Sequence, residues 1–364
     1  MTARSRIVVF GAIAALFAVA VVPVLVFGHR PDAPQRTVID VWSATDRSAM
    51  AEILAGFEAA HPGIAIRYTE YNTSELREAV LAARQKPDVV VSSAMDLQVE
   101  LVNRGLASPV ADVPETPEWS RWREELFGFT QEPVALVYNR EAFSKRPLPS
   151  TRSELAGMIR DEPSFFDGRV GTYDVALSGV GYMFATQDAQ RGFQAPRLVE
   201  SFGRAKAKTY CCTNDMVEDV ASGRLVLAYN VIGSYALERV RRDPRLGILL
   251  LSDYALVFTR SVLVTKDSDD KAAAGDFVRF LLSDAGQALI DESSSLFPLV
   301  ASFREGQSFF ETRFEGSTSL LPIRLRPSLL TWLDERKKAK FLHDWKASIK
   351  GPPKDDREAA PKKT

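Results

Sequence analysis

One serine and three glycines lie in or near an apolar run at residues 176–185, and they form the pattern of this chain that most favours a binding site. They are Gly171, Ser178, Gly179 and Gly181. If a helix begins there, its first backbone N–H groups have no partner within the helix and together carry about half a positive charge. Glycine allows an anion to approach such a backbone closely. The pattern therefore predicts a small-anion site, and the alternative is an ordinary strand–turn–helix connection capped by Ser178.

Composition and charge exclude some functions. The chain has 364 residues, of which 46 are basic and 47 acidic, and its net charge is −1. A dedicated nucleic-acid binder normally has a strong basic field, so no nucleic-acid partner is expected. The length suits one large or two medium domains, and a hydrophobic fraction of 46% is that of a soluble globular protein.

Histidine usage argues against an enzyme. The chain has 3 histidines, which are His29, His61 and His343, and none lies beside a candidate nucleophile. The 2 cysteines, Cys211 and Cys212, are adjacent and cannot form a zinc site alone. A vicinal disulfide is an alternative in an oxidising compartment, but two reduced thiols are the favoured interpretation.

The N-terminus predicts export. Arg4 and Arg6 precede an apolar run at residues 7–27. A cleaved signal peptide and an uncleaved membrane anchor of residues 1–28 are equally compatible with this pattern. Both place the remainder in the periplasm, after a linker of residues 29–37.

Hydrophobic periodicity predicts an α/β fold with two regions of similar construction. Strands are predicted at residues 38–42, 64–68, 88–91, 133–138, 169–172, 226–229, 246–251 and 255–264. Helices are predicted at residues 48–60, 74–84, 97–104, 153–160, 215–222, 234–241, 272–282, 285–290 and 328–345, with Thr213 or Asn214 as the cap at 215. The proline- and charge-rich tail at residues 349–364 is predicted to be disordered.

Several motifs resemble those of type II periplasmic solute-binding proteins, in the branch of ferric-ion-binding and phosphoglycerate transport regulatory proteins. They lie at residues 57–64, 86–91, 137–139, 178–182, 277–287 and 329–337, and the most specific is Phe-Val-Arg-Phe-Leu-Leu-Ser-Asp-Ala-Gly-Gln at 277–287. The resemblance covers roughly residues 38–346.

The resemblance implies a two-lobed α/β fold with a ligand cleft between lobes joined by crossing strands. One lobe would comprise residues 38–132 and 254–300, the other residues 138–250, followed by a C-terminal helical segment at 301–348. The crossings would lie near residues 132–139 and 248–259. Ligands of open α/β sheets bind at the carboxyl ends of strands, so several turns should converge on one cleft. The candidate ligand-binding residues are Ser43, Thr45, Asp46, Arg47, Ser92, Ser93, Ser178, Gly179, Val180, Asn214, Asn230, Ser234 and Tyr235.

The candidate site resembles the anion half of the ferric site better than the metal half. Asp46 occupies the position of the family's histidine and Ser93 that of its glutamate, while Tyr235 remains of a tyrosine pair. Ferric iron prefers several charged oxygen ligands, so neither a metal nor another cofactor is expected. In contrast, Ser178, Gly179 and Asn214 match positions that hold phosphate. Arg47 is a candidate for a bidentate contact, and Arg260 carries less weight.

The resulting hypothesis is a monomeric periplasmic protein that binds a small anionic solute for an ABC importer and closes about a hinge. The solute would be phosphorylated or carboxylated, and the partner would be an ABC permease. The alternative is a membrane-tethered sensing component that acts with a two-component sensor kinase.

Overall fold

The computed structural model describes residues 36–192 and 194–350. The predicted N-terminal segment 1–28 and most of the linker and tail lie outside these residues. Nearly all of the described residues belong to one compact unit that begins at Val38. No helix in the described part of the chain is both long and apolar enough to cross a membrane.

Two seven-stranded sheets form the framework. The first has the order β2-β1-β3-β13-β6-β5, with β4 on β13, and the second the order β14-β12-β7-β10-β8-β9, with β11 on β7. The strands of the first sheet are β1 Thr37–Ser43, β2 Ile64–Glu70, β3 Val89–Ser92, β4 Ala107–Ser108, β5 Arg121–Trp122, β6 Leu126–Gly128 and β13 Ser261–Thr265. Those of the second are β7 Glu132–Asn139, β8 Val170–Tyr173, β9 Lys208–Tyr210, β10 Leu227–Ile232, β11 Leu246–Leu249, β12 Ala255–Phe258 and β14 Leu320–Pro322.

The helices alternate with the strands, as the periodicity predicts. In chain order they are α1 Arg47–Ala60, α2 Thr73–Ala82, α3 Met95–Asn103, α4 Arg152–Asp161, α5 Pro163–Phe166, α6 Gly179–Ala189, α7 Gln194–Arg204, α8 Thr213–Ala221, α9 Gly233–Arg242, α10 Lys271–Leu282, α11 Asp284–Ser293, α12 Leu299–Glu305, α13 Gln307–Glu311 and α14 Glu335–Lys350. Polar side chains fix several helix starts, because they satisfy N–H groups that have no partner within the helix. Asn72 and Glu75 form a reciprocal capping box at α2, and Ser178 accepts from the Gly181 amide at α6.

The core lies on both faces of the sheets. In β3 the apolar residues Val89 to Val91 are fully buried, as expected for a central strand that is covered on both sides; it pairs parallel with β1 and antiparallel with β13. Parallel pairing of β1 with β3 brings Val41 opposite Val89 and Ser43 opposite Val91. The polar residues that follow both strands therefore emerge at the same sheet edge.

Two short segments, which we call the crossing segments, lead directly from a strand of one sheet to a strand of the other. They are residues 129–131, between β6 and β7, and residues 259–260, between β12 and β13. The two segments are hydrogen-bonded to each other: the Phe129 amide donates to the Arg260 carbonyl (3.0 Å), and the Arg260 amide donates to the Thr130 hydroxyl oxygen (2.8 Å). The predicted strand 255–264 is therefore wrong, since it divides at Thr259 and Arg260, and the chain returns to the first sheet at Ser261 rather than at 254.

The C-terminal region also differs from the prediction. The expected single helix at 328–345 is a 3-10 helix, Pro327–Trp332, followed by α14. Residues 349 and 350, predicted to begin the disordered tail, form the end of α14. Trp332 and Phe341 pack around Tyr182.

Candidate functional site

A cavity of about 330 Å³ lies where the ends of several strands meet the starts of several helices. Its lining comes from the segments that follow β1 and β2, from the starts of α6, α8 and α9, and from one crossing segment. The lining residues are Ala44, Thr45, Asp46, Glu70, Tyr71, Asn72, Thr73, Glu75, Ser93, Tyr173, Ser178, Val180, Cys211, Cys212, Thr213, Asn214, Ile232, Tyr235 and Arg260. Both sheets contribute, as a ligand site at strand ends requires.

Arg260 is the cation of this cavity. Its side chain is fully buried, its Nε donates to Glu132 (2.8 Å), and its Nη1 donates to the Thr45 hydroxyl (3.0 Å). The guanidinium carbon lies 4.5 Å from the centre of the Tyr235 ring, a cation–π distance. The Nη2 atom has no hydrogen-bond partner among the described residues, although it is buried.

Arg260 remains protonated in this environment. Burial by itself lowers its pKa, but the neighbouring Glu132 carboxylate and the Tyr235 and Asp46 groups raise it above the ordinary arginine value. One residue of the cavity lining therefore carries a permanent guanidinium charge, and one of its N–H₂ groups has no protein partner among the described residues. The sequence pattern favoured Arg47 instead, which does not line the cavity, because its guanidinium lies over the Tyr68 ring at 5.5 Å.

The start of α8 faces the cavity without a side-chain cap. The N-cap residue is Cys212 and makes no capping hydrogen bond, so the prediction of Thr213 or Asn214 as the cap is wrong. Thr213 instead accepts a hydrogen bond from the Ile232 amide (3.2 Å), and Asn214 donates from its side chain to Asp46 (3.2 Å). The uncapped start of α8 therefore contributes its partial positive charge to this end of the cavity.

The two cysteines at this helix start form a disulfide. This contradicts the expectation of two reduced thiols. Both residues line the cavity, so the sulfur atoms form part of its wall. In the described residues no cysteine is free.

The serine–glycine motif at α6 is largely satisfied by the chain itself. Ser178 accepts from the Gly181 amide (3.2 Å), and the Val180 amide donates to the Thr73 hydroxyl (3.2 Å). Gly179 does not line the cavity, and a Cβ there would lie 2.9 Å from the Leu97 side chain. Ser178 and Val180 do line it, but close packing accounts for the glycine.

Of the thirteen candidate residues, the structure places seven in the cavity lining. These are Thr45, Asp46, Ser93, Ser178, Val180, Asn214 and Tyr235. The other six do not line it and are engaged elsewhere: they are Ser43, Arg47, Ser92, Gly179, Asn230 and Ser234.

The engaged hydroxyl and amide groups have local reasons for their positions. Ser43 accepts from the Thr45 amide (3.0 Å) and Ser92 from the Ala94 amide (3.1 Å), so both shape turns. Ser234 donates to the buried Glu132 carboxylate, and Asn230 donates to Asp188 (2.7 Å). These side chains therefore build the surroundings of the cavity.

The end of β2, the turn after it and the start of α2 line the cavity but were not predicted to do so. Glu70, Tyr71, Asn72 and Thr73 are part of the lining together with Glu75. A signal was present in the sequence, because these polar residues follow a predicted strand whose carboxyl end should face the same edge as the neighbouring strand ends.

The residues present do not form a set of metal ligands. Among the described residues, only Cys211, Cys212 and Asp215 bring three potential His, Cys, Asp or Glu ligand atoms together, and two of these are in a disulfide. The Tyr235 hydroxyl accepts from the Asp46 amide (3.2 Å), and burial raises its pKa to about 12.

Comparisons with known proteins agree with this architecture. The family model "Bacterial extracellular solute-binding protein" matches residues 52–312, which is more than half of the chain. The chain belongs to this family. The resemblance noted in the sequence is thus confirmed at family level, and the two-sheet α/β fold is that of the two-lobed periplasmic binding proteins.

Proteins similar to this chain differ in the ligands that their names give. The substrate-binding protein of an ABC transporter from Agrobacterium tumefaciens is 29% identical, with a TM-score of 0.79 over 88% of this chain and 95% of that one. Iron uptake protein A1 of Synechocystis sp. is 24% identical over 75% of this chain and 81% of its own length. AfuA from Actinobacillus pleuropneumoniae, with fructose-6-phosphate bound, is 14% identical with a TM-score of 0.64, over 87% of this chain and 99% of that one.

Proposed function

We propose that this solute-binding protein is the periplasmic receptor of an ABC importer and that its solute carries an anionic group. The substrate-binding protein from Agrobacterium tumefaciens supports the importer partner. The ligands of the relatives include iron and a sugar phosphate, so the choice between them depends on the residues of this cavity.

The observation that carries the anion assignment is the Nη2 group of Arg260. A buried donor without a partner costs the folded state roughly 1–3 kcal/mol, and more when the group is charged. A carboxylate or phosphate oxygen in the cavity would accept a charge-assisted hydrogen bond from it. The uncapped start of α8 adds partial positive charge.

Binding would be coupled to a change in shape. The cavity lining includes Asp46, which follows β1 of the first sheet, and Asn214, which follows β9 of the second. A solute that touches both sides binds the closed arrangement more tightly than the open one and shifts the population toward it. The crossing segments are the natural hinge, because they are the shortest connections between the two sheets in the described chain.

Calorimetric titration tests the proposal with inorganic phosphate, glycerol 3-phosphate, 3-phosphoglycerate, citrate and ferric citrate. We expect at least one iron-free anion to bind. The variant Arg260→Lys keeps a charge beside Glu132 but loses the guanidinium fork, so its affinity should fall at least tenfold. The control Arg241→Lys changes an arginine of α9 that does not line the cavity, and it should bind as the wild type does.

Two results would contradict the proposal: binding of ferric citrate alone, or an anion that binds the wild type and Arg260→Lys equally. Thermal unfolding of both variants checks that the fold is retained. The double variant Arg260→Gln/Glu132→Gln removes both charges of the buried pair together and should also lose anion binding, without leaving one charge unpaired.

A further inference from the structure

We propose that the solute is a zwitterion, with a cationic group that binds a subsite formed by Asp46, Glu70, Tyr71 and Glu75. This inference rests on the proposed function, because it assigns the second half of the same ligand. We call these four residues the acidic subsite. All of them line the cavity that contains Arg260.

The charge of the lining is the first argument. It contains one guanidinium, Arg260, and three carboxylates, Asp46, Glu70 and Glu75, so its formal charge is 1 − 3 = −2. The guanidinium is also balanced by the buried Glu132, whose carboxylate lies 2.8 Å away. A solute with only negative charge would be attracted by the guanidinium of Arg260 but repelled by the three carboxylates. A solute with one negative and one positive charge would be attracted to Arg260 through the first and to the carboxylates through the second.

The three carboxylates have only neutral hydrogen-bond donors among the described residues. Asp46 accepts from the Asn214 side-chain amide (3.2 Å), and Glu75 accepts from the Asn72 backbone amide (3.4 Å). Glu70 accepts from the backbone amide of Arg47. Their negative charges are therefore available to a bound cation.

The nearby arginines are committed to other partners. Arg67 pairs with Asp40 (3.1 Å), and Arg77 pairs with Glu100 (2.7 Å). The guanidinium of Arg47 lies over the ring of Tyr68. No described residue forms an ion pair with Glu70 or Glu75, and the cation that acts on Asp46 is Arg260 of the same cavity. An ordinary surface ion-pair network, in contrast, pairs its charges within the chain.

An aromatic ring completes the acidic subsite. Tyr71 lines the cavity, and its ring centroid lies 5.3 Å from that of Trp42. The face of a tyrosine ring attracts an ammonium group, and carboxylates beside it strengthen that preference. A primary or quaternary amine therefore suits this end of the cavity.

The two halves of the predicted ligand site come from different sheets. The acidic subsite follows β1 and β2 of the first sheet, whereas the starts of α8 and α9 follow strands of the second. The anionic group would bind Arg260 and α8, and the ammonium group would bind the acidic subsite. A volume of about 330 Å³ is at the small end for ligand sites, so the two charges should be separated by only a few bonds.

Matched solute pairs test the inference by calorimetry. O-phosphoethanolamine is compared with ethyl phosphate, and β-alanine with propionate, since each pair differs by one ammonium group. We expect the zwitterion of at least one pair to bind at least tenfold more tightly than its partner. Glu70→Gln and Glu75→Gln should each reduce that ratio severalfold, since glutamine keeps the hydrogen-bonding oxygen and removes the charge. The control Glu78→Gln lies on the same helix α2 but outside the cavity lining and should leave the ratio unchanged.

The outcomes separate the two proposals. If ethyl phosphate and propionate each bind as tightly as their zwitterionic partners, the zwitterion inference is overturned and the anion receptor stands. An unchanged ratio in both glutamine variants overturns the assignment of the acidic subsite. If no probe of either charge type binds and the anions of the Arg260 titration also fail, the proposed function falls and this inference falls with it.

Discussion

Two buried arginines differ in how completely the described chain satisfies their hydrogen-bond donors. Arg152 is 2% exposed and has a partner on each side: Asp253 (2.7 Å), the Tyr254 carbonyl (2.8 Å) and the Tyr229 hydroxyl oxygen (2.7 Å). Arg260 is similarly buried but leaves Nη2 unpartnered within the described structure, at the wall of a cavity. Arg152 is therefore fully engaged within the core, whereas Arg260 is the arginine to which the proposed function assigns the ligand.

Replacement of Arg152 should affect stability and not recognition. Arg152→Met removes a cation from beside the buried Asp188, 3.6 Å away, and from Asp253. Breaking a buried ion pair on one side typically costs about 3–5 kcal/mol. Urea denaturation should show this loss, while the affinity of the folded variant for any solute found for the wild type should change less than twofold. A severalfold loss of affinity at full stability would contradict this division of roles.

Asn230, which its place in the sequence predicted to bind ligand, should prove structural. It has a left-handed backbone (φ 59°) at an irregularity in the pairing of β10 with β7, and its amide donates to Asp188. Asn230→Gly keeps the backbone conformation and loses the hydrogen bond, whereas Asn230→Ala loses both. We expect alanine to reduce the free energy of unfolding by about 1 kcal/mol more than glycine does. Equal effects in urea denaturation would show that the backbone conformation is unimportant.

Asp96 should make stability depend on pH. Burial raises the pKa of this carboxyl to about 7, while Lys338 partly opposes the shift. The folded chain then binds a proton more tightly than the unfolded chain, whose aspartate pKa is about 3.9. The stability that this group contributes is fully present below about pH 4 and is lost as the pH rises toward 7.

The neutral variant Asp96→Asn keeps the oxygen that accepts from the Leu97 amide and removes the titration. Between pH 5 and pH 8 the wild type should lose about 3 kcal/mol of stability relative to this variant, out of about 4 kcal/mol for the full shift. Urea denaturation of both proteins at four pH values measures the difference. Parallel stability curves would mean that Asp96 titrates normally.

For individual residues, the sequence predicted the location of the cavity better than it predicted which side chains line it. Thr45, Ser93 and Asn214 were found because polar residues at strand ends and helix starts are typical of ligand sites in open α/β sheets. The sequence could not distinguish Ser234 from these residues, because its hydrogen-bond partner Glu132 lies 102 positions away in the chain. The sequence pattern assigned Arg260 little weight for the same reason, because burial and an unpartnered atom are properties of the packed chain.

Among the elements, α8 links the cavity to the second sheet most directly. Its Met216, Val217 and Val220 are buried in the core, whereas its start presents the disulfide and Asn214 to the cavity. Packing of the apolar face therefore fixes the helix, and the disulfide shapes only the turn before it.

The double variant Cys211→Ser/Cys212→Ser should separate these two contributions. A disulfide between adjacent residues closes a minimal loop, so its removal should cost only about 1 kcal/mol on the chain-entropy account. The cavity wall loses two sulfur atoms and the turn becomes freer, so solute affinity should fall severalfold. Thermal unfolding and calorimetry measure the two effects, and reduction of the wild type with a dithiol should reproduce them. A large loss of stability with unchanged solute affinity would show instead that the disulfide stabilises the fold and does not shape the cavity.

The regular elements followed from periodicity, whereas their interruptions did not. Helix α1 and strand β3 were predicted to within two residues, since their apolar residues follow the periods of helices and buried strands. The division between β12 and β13 was missed because apolar residues flank Thr259 and Arg260 on both sides, and only sheet membership separates them. Short β9 and β14 are fixed by pairing with distant strands, which no local pattern reveals.

At the scale of the whole molecule, the proposed function requires two arrangements of the sheets. A solute that binds Arg260 together with the acidic subsite should favour the closed one by its differential affinity. Small-angle X-ray scattering of residues 38–350 with a solute found by titration should show a smaller radius of gyration than without it. The Glu75→Gln variant should need more solute for the same change, and a radius that is independent of solute would exclude hinge closure.

Arg260 lies in a crossing segment, where its backbone amide and carbonyl bond the other crossing segment. A group on the axis of a rotation is displaced little when the parts on either side move. The guanidinium should therefore meet an incoming anion in the same pose whether the halves are apart or together. The association rate of the solute would then depend little on how often the two halves close, whereas its dissociation rate would depend strongly on how often they close.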